Sequence, residues 1–433
     1  MSNSANTPVA VAAASQPSFF RRYGLWLVPA IVVLVMPPVL DSTVALAVLN
    51  QMGIAVIFTV AYNMMLGQGG MLSFGHAVYF GLGGYFAIHG VNMISGGEWP
   101  IPLPFVPILG GFAGLAFGVL FGSFSTNRAG TVFAMISLGI GEMIASSSLI
   151  FSKFSGGEEG ITTDRTEITP FFGVDFATEQ EIYYLIAGWV FIAVFLMYRF
   201  SRTPIGRIAN AVRDNPERAE FLGYSQKWVR FISFAVSGAF AGVAGSLFAI
   251  NYEIVTEETV NALTSGVVLL QAYIGGIGFF AGPIVGAVIF TLLQTLMSNY
   301  TEIWALYVGL VFVGTVMYAP AGLTGLIMMH IPVYQAGRLG TLTVPYARIA
   351  VPALATAVGA IGFLELWHHI SAAGTGEEIA HIFWMSLNFT SPLPWIVFVG
   401  LFVVGLWDAR RVAPVVADTY GNALHYAFTG EDQ

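Results

Sequence analysis

The sequence predicts an all-α polytopic membrane protein, and three observations carry that prediction. Of 433 residues, 56% are hydrophobic and only 9% charged, with a mean hydropathy of +0.76. A soluble domain carries about 25% charged residues, so this chain cannot clothe a globule of its size in water. Its apolar runs last roughly twenty residues, the length of a bilayer-crossing helix; barrel strands would alternate in segments of about ten. A helix also satisfies every backbone N–H and C=O within one segment, as lipid demands. Cysteine is absent, which excludes disulfides, thiolate chemistry and cysteine metal sites. The net charge is −8 and the few bases form no patch able to track phosphates, so nucleic acid is not expected as a partner.

The elements follow in order. Residues 1–22 are rich in Ser, Ala and Asn, lack an apolar stripe, and read as a disordered cytoplasmic tail. Arg21 and Arg22 precede an apolar run from Gly24 to Leu40. No small-residue cleavage site stands out and spans continue directly, so this is an expected uncleaved first span rather than a secretory signal. Further spans are expected at 43–66, 74–95, 102–124, 129–152, 181–200, 230–251, 265–279, 281–299 and 304–329. The pair at 265–299 is interrupted by Gly275, Gly276, Gly278, Gly282 and Pro283, so two short spans and one broken re-entrant helix both fit. This gives a transmembrane core at 23–329 and an extension at 330–433 with spans at 348–367 and 391–408.

Basic residues orient the bundle. With the N-terminus inside, 14 of the 16 Lys and Arg fall on the cytoplasmic side, and only Lys153 and Arg165 lie outside. That is the positive-inside bias, and it makes both termini cytoplasmic. The outer loop 153–180 is acidic and long enough to fold over the mouth of a pathway; Glu253, Glu257 and Glu258 sit in another outer loop. The inner segment 201–229 is the most charged cytoplasmic stretch. Pro204 suits a first helical turn, and Ile208, Ala211, Val212 and Ala219 offer an apolar face. Asn215-Pro216 should interrupt it, leaving two short amphipathic helices that end near Gly223.

Two glycine clusters mark candidate functional sites. In Asn63-Met-Met-Leu-Gly-Gln-Gly-Gly-Met-Leu-Ser-Phe-Gly-His76, four glycines break the helix, while Asn63, Gln68, Ser73 and His76 bring polar groups to membrane depth. Unwound backbone survives there only when buried in protein or lining a wet cavity. Gly275-Gly-Ile-Gly-Phe-Phe-Ala-Gly-Pro283 makes a similar break later in the chain. Glycine-interrupted segments in two halves of a membrane protein point to a translocation site. Asn63, Gln68, Ser73, His76, Gly275, Gly276 and Gly278 are therefore candidate pathway residues, although close helix packing also explains glycines.

Three blocks of sequence resemble the LivM-type permease subunits of branched-chain amino acid ABC importers. They are NMMLGQGGMLSFGHAVYFGLGGY (63–85), TPIGRIANAVRDNPERAEFLGY (203–224) with the following FAVSGAFAGVAGSLFA, and YIGGIGFFAGPIVGA (273–287) closed by YAPAGLTGL (318–326). The resemblance implies about ten core helices with an internal pseudo-repeat in a bacterial inner membrane. It also implies partners: a LivH-type second permease subunit, two cytoplasmic ATP-binding subunits and a periplasmic substrate-binding protein. Segment 203–224 resembles the family's coupling helix, which seats in a cleft of the ATPase. Arg207, Arg213 and Asp214 would make charged contacts there, and Gly206 and Gly223 would shape its ends. Ala321 departs from the pattern, standing where a basic residue is usual.

No GxxxxGK[ST] loop occurs in the sequence, so the chain has no cofactor of its own and ATP would be bound by partner subunits. The expected function is import of branched-chain or related hydrophobic amino acids by alternating access, with urea, short amides or aromatic acids as other cargoes of the same mechanism. An ion-coupled secondary transporter needs paired intramembrane charges, and only Glu142 qualifies. A hydrogen-bonded structural role is favoured for it, with Ser146 one turn on. His368, His369 and His381 match no metal motif, so no metal site is expected. A membrane-embedded enzyme would need converging acid, base or metal groups, which these scattered histidines do not supply.

Overall fold

The computed structural model describes residues 30–40, 42–372, 379–383 and 385–429; the expected tail 1–22, with Arg21 and Arg22, lies outside them. The described chain is overwhelmingly α-helical and falls into two compact units: residues 1–272 with 283–295, and residues 273–282 with 296–433. Seven helical stretches among the described residues are long and apolar enough to cross a membrane, and one further bent pair qualifies when taken together. The protein is therefore a polytopic α-helical membrane protein. The division between units falls inside the stretch 23–329 that the sequence reads as one core.

In the first unit the helices are α1 (Ala30–Val39), α2 (Thr43–Asn63), α3 (Ala77–Ser95), α4 (Val106–Ser125), α5 (Gly130–Ile150), the single turn α6 (Ser152–Ser155) and α7 (Glu179–Arg202). They continue with α8 (Pro204–Asp214), α9 (Pro216–Phe221), α10 (Gln226–Tyr252) and most of α11 (Ala262–Gly275) and of α12 (Gly282–Ser298). Helix α10 is the most enclosed of the membrane-length helices and packs on α2, α3 and α4. The α4–α10 crossing is a glycine seam. A Cβ at Gly114 would strike the Gly238 carbonyl, and one at Gly242 would strike that of Gly110. Small residues four apart let backbones approach this closely where lipid offers no hydrophobic drive.

The loop 156–178 is tied to the end of α10 by two strands, β1 (Ile161–Thr162) and β2 (Ile254–Val255), paired antiparallel. Beside them lies Arg165, only 6% exposed. Its guanidinium donates to the carbonyls of Ile250 (3.2 Å) and Asn251 (3.0 Å) and to Glu179 (3.0 Å), and its backbone N–H to Glu253 (2.9 Å). Asn50 of α2 donates to the other Glu179 oxygen at 3.0 Å. Arg165 thus joins the loop to α7, α10 and, through Glu179, α2. Arg165 is a buried cation held by carbonyls and carboxylates, although its Nε makes no hydrogen bond and only an ion pair to Glu253 at 3.8 Å.

In the second unit, α13 (Trp304–Tyr318) and α14 (Gly322–Gln335) are bent by 43°, where a single span 304–329 was expected. Helices α15 (Thr343–Ala372) and α16 (Pro392–Thr429) pack along each other, and the hairpin β3 (Ile379–Ile382) and β4 (Met385–Asn388) covers one end through Ala380 and Ile382 on Leu366 and Phe398. Glu365, 9% exposed, accepts from Tyr307 Oη at 2.8 Å. The histidines of this region have separate partners: His368 with Glu302, His369 with the Glu365 carbonyl, His381 with Ser386.

Candidate functional site

The first glycine cluster builds the site. Helix α2 widens after Asn63 into a π-turn, Met64–Gln68, and the chain stays non-helical until Ala77. Gly70 has φ +66°, a conformation open to glycine at little steric cost. Every hydrogen-bonding group freed by the break must find a partner or remain unpaired. Serines from three other helices provide most of them. Ser137 Oγ of α5 accepts from Phe74 N (3.0 Å), Ser265 Oγ of α11 accepts from Ala77 N (2.9 Å), and Ser237 Oγ of α10 donates to the Ala61 carbonyl (2.6 Å). Tyr62 Oη donates to the Ser73 carbonyl (2.9 Å), and Ser73 Oγ accepts from Gly75 N (3.3 Å).

The candidate pathway residues separate into groups. Ser73 serves the unwound backbone. Gln68 does not: its Oε1 is buried without a partner, as are Asn63 Oδ1 and His76 Nδ1. His76, fully buried, opens α3; its Nε2 lies 3.3 Å from Ser237 Oγ and its ring stacks on Phe58 at 5.8 Å. Buried polar atoms without partners are rare enough to require an explanation, and here three share one broken segment. Gly275, Gly276 and Gly278 belong to the second unit. There Gly276, at φ +110°, packs backbone to backbone against Ala321 and Gly322, whereas a Cβ at Gly278 would meet nothing within 4 Å.

The segment 203–224 folds as the two short helices expected. Thr203 Oγ1 caps α8 by accepting from Gly206 N (3.3 Å), and Asn215 Oδ1 caps α9 by accepting from Arg218 N (3.0 Å). Gly223 ends the pair at φ +86°. The buried face is Ala209, Val212 and Ala219 with Val229; Ala211 points outward, a correction to the expected face. Gly206 is buried because a Cβ would strike the Phe200 carbonyl. Arg207 is exposed and makes no ion pair among the described residues.

Arg213 is the finding the sequence could not reach. Its Nη1 donates to the Gly67 carbonyl inside the π-turn, while its Nε donates to Asp214 at 2.8 Å. Its Cγ lies 2.8 Å from where a Cβ on Gly70 would stand. The last turn of α8 therefore rests on the broken segment, and the two candidate sets read separately from sequence meet at one guanidinium. Glu142 needs the opposite correction: it lies on the exposed face of α5 beside Met143, with no hydrogen bond to Ser146.

Phe58 also lines a cavity of about 290 Å³ in the first unit. Gln51 and Phe58 of α2, Phe80 of α3, Phe248 and Tyr252 of α10 and Gln271 of α11 line it. At one wall, Thr59 Oγ1 donates to Gln271 Oε1 at 2.5 Å. Nothing in the local sequence marks these residues, because they come from four helices.

A bundle of membrane-length helices enclosing a polar, unwound segment is the build of a multi-pass membrane permease. The sequence pattern of the branched-chain amino acid transport system / permease component family matches residues 44–321, and the chain belongs to that family. It is 29% identical over 322 residues to the high-affinity branched-chain amino acid transport system permease protein LivM of Escherichia coli K12, covering 69% of this chain and 74% of that one. It is 25% identical over 242 residues to the fructose import permease protein FrcC of Rhizobium meliloti (52% and 65%). Over 164 residues it is 26% identical to a probable branched-chain amino acid transport permease protein LivH of Methanocaldococcus jannaschii (36% and 49%). No solved structure matches the chain. The LivM-type resemblance read from the three motif blocks therefore stands.

Proposed function

We propose that this chain is a transmembrane subunit of an ATP-driven importer of branched-chain or related hydrophobic amino acids in a bacterial inner membrane. Both termini face the cytoplasm, and the 330–433 extension adds to a core of about ten helices with an internal pseudo-repeat. Its partners are a LivH-type permease subunit, two cytoplasmic ATP-binding subunits that carry the ATP, and a periplasmic binding protein. The chain needs no cofactor of its own.

The contact from Arg213 to the Gly67 carbonyl carries this reading. Helices α8 and α9 present Arg207, Glu217 and Arg218 outward, the charged surface a docked ATPase would grip. Movement of α8 then reaches the π-turn directly, since the same helix holds one of its carbonyls. Breaking or shifting that bond re-pairs the unwound segment and so favours one open state over another, the differential interaction a switch requires. Exposed Glu142 supports the second permease subunit. A carboxylate on an apolar helix face is costly against lipid and calls for a protein partner with a donor.

The test is reconstitution of the chain with its partner subunits and binding protein in liposomes, following labelled leucine, urea and fructose side by side. ATP-dependent leucine uptake is expected. Urea or fructose uptake alone would keep the mechanism and change the cargo, and uptake indifferent to ATP would overturn the importer reading.

A further inference from the structure

The cavity that Phe58 lines has a chemistry of its own. At about 290 Å³ it matches the small end of ligand sites, roughly 300–1,000 Å³, which suits one small molecule rather than a peptide. Its lining is divided. Phe58, Phe80, Phe248 and Tyr252 give an aromatic cradle, and Phe58 and Phe80 are themselves packed at 4.6 Å. Gln51, Gln271 and Gln294 supply amides, and Glu258 is the one charged lining residue. Thr264 Oγ1 holds the Glu258 carbonyl at 2.7 Å, which fixes the loop carrying that carboxylate.

Thr59 holds one end of the Gln271 amide. With Oε1 accepting from Thr59 Oγ1, the Nε2 amino group is the donor left for a ligand. An amide donor, an aromatic cradle and one carboxylate without a cation among the lining residues are complementary to three parts of one molecule: a carboxylate, an aliphatic side chain and an ammonium. A second carboxylate on the ligand would meet Glu258 with no Lys or Arg to offset it.

We propose that this cavity seats one neutral aliphatic α-amino acid in transit, with Gln271 holding its carboxylate, Glu258 its ammonium, and the rings of Phe58, Phe80 and Phe248 its side chain. The inference rests on the importer reading and adds a cargo seat within this single chain. Phe58 links the seat to the broken segment, since its ring lines the cavity and stacks on His76.

Two measurements on the full assembly test this. In detergent, a diazirine analogue of leucine should label peptides containing Phe58, Phe80 or Phe248, and excess leucine should prevent labelling while glutamate should not. In liposomes, Gln271→Glu, nearly the same size, should lower ATP-dependent leucine uptake about tenfold or more, since it replaces a donor to a charged group with a like charge. Phe248→Trp, which fills the cavity with a bulkier ring, should abolish labelling while co-purification with the partner subunits matches the wild type. If wild-type assemblies take up no leucine, the importer reading fails in its cargo. If they take up leucine, but the label lands elsewhere or Gln271→Glu transports normally, the seat is wrong and the importer reading survives.

Discussion

The two glycine-rich breaks look alike in sequence and are built differently. At 67–76 the unwound chain is held largely through side chains, those of Ser137, Ser237 and Ser265 from three helices, Tyr62 and Arg213, with one backbone contact where a Cβ at Gly75 would strike the Ser137 carbonyl. Around Gly276 the chain is held by backbone against backbone, with Gly276 and Gly322 so close that neither accepts a Cβ. A side-chain hydrogen bond can break and re-form at modest cost, about 0.5–1.5 kcal/mol net for a neutral pair. A backbone seam has no such freedom, because overlap of main-chain atoms rises steeply with any shift. Glycine therefore reports where a helix stops; the neighbouring polar residues report whether the stop is able to move.

Substitutions can break that comparison, beginning with the most severe. Gly276→Ala should cost about 3 kcal/mol or more, combining backbone strain and overpacking. It should show as a large fall in the melting temperature of the detergent-solubilised assembly. A near-native melting temperature would mean that the second break is as adaptable as the first. Arg213→Met keeps much of the stem and removes the charged donor to Gly67, worth about 1.5–3 kcal/mol. Its expected signature is ATP hydrolysis that continues while leucine uptake falls, and Arg213→Lys should restore part of that uptake. Parallel loss of both activities would make Arg213 an assembly residue instead.

Smaller effects sharpen the contrast. Ser265→Ala leaves the Ala77 N–H without its acceptor at the start of α3, a penalty of about 1–3 kcal/mol. Hydrogen exchange of the Ala77 amide should quicken while the Gly276 region is unchanged. Gly278→Ala should be nearly silent in melting temperature, since a Cβ there meets nothing within 4 Å and the residue is not at positive φ. A marked loss at Gly278 would show that the whole second cluster, rather than Gly276 and Gly322, forms the seam.

Local chemistry made much of this protein legible. Apolar length and scarce charge define the membrane class, and Pro204, Asn215-Pro216 and Gly223 bound two short amphipathic helices that the structure places at Pro204–Asp214 and Pro216–Phe221. The break after Asn63 was readable for the same reason: glycines and polar residues act on the backbone beside them. What tertiary structure alone decided are the questions of partner. Val212 packs inward while Ala211 faces out, a quarter-turn that propensity does not resolve. Arg213 could not be told from a surface arginine until α8 was seen resting on Gly70. Arg165 read as a loop charge, yet its acceptors come from the start of α7, the end of α10 and Glu253 just beyond it. The cavity at Gln271 belongs to no motif, because its walls are separated by up to 243 residues, from Gln51 to Gln294. Sequence neighbours determine where a helix begins, breaks and ends; which helix lies against which is set by packing across the bundle, and the functional contacts found here depend on that second choice.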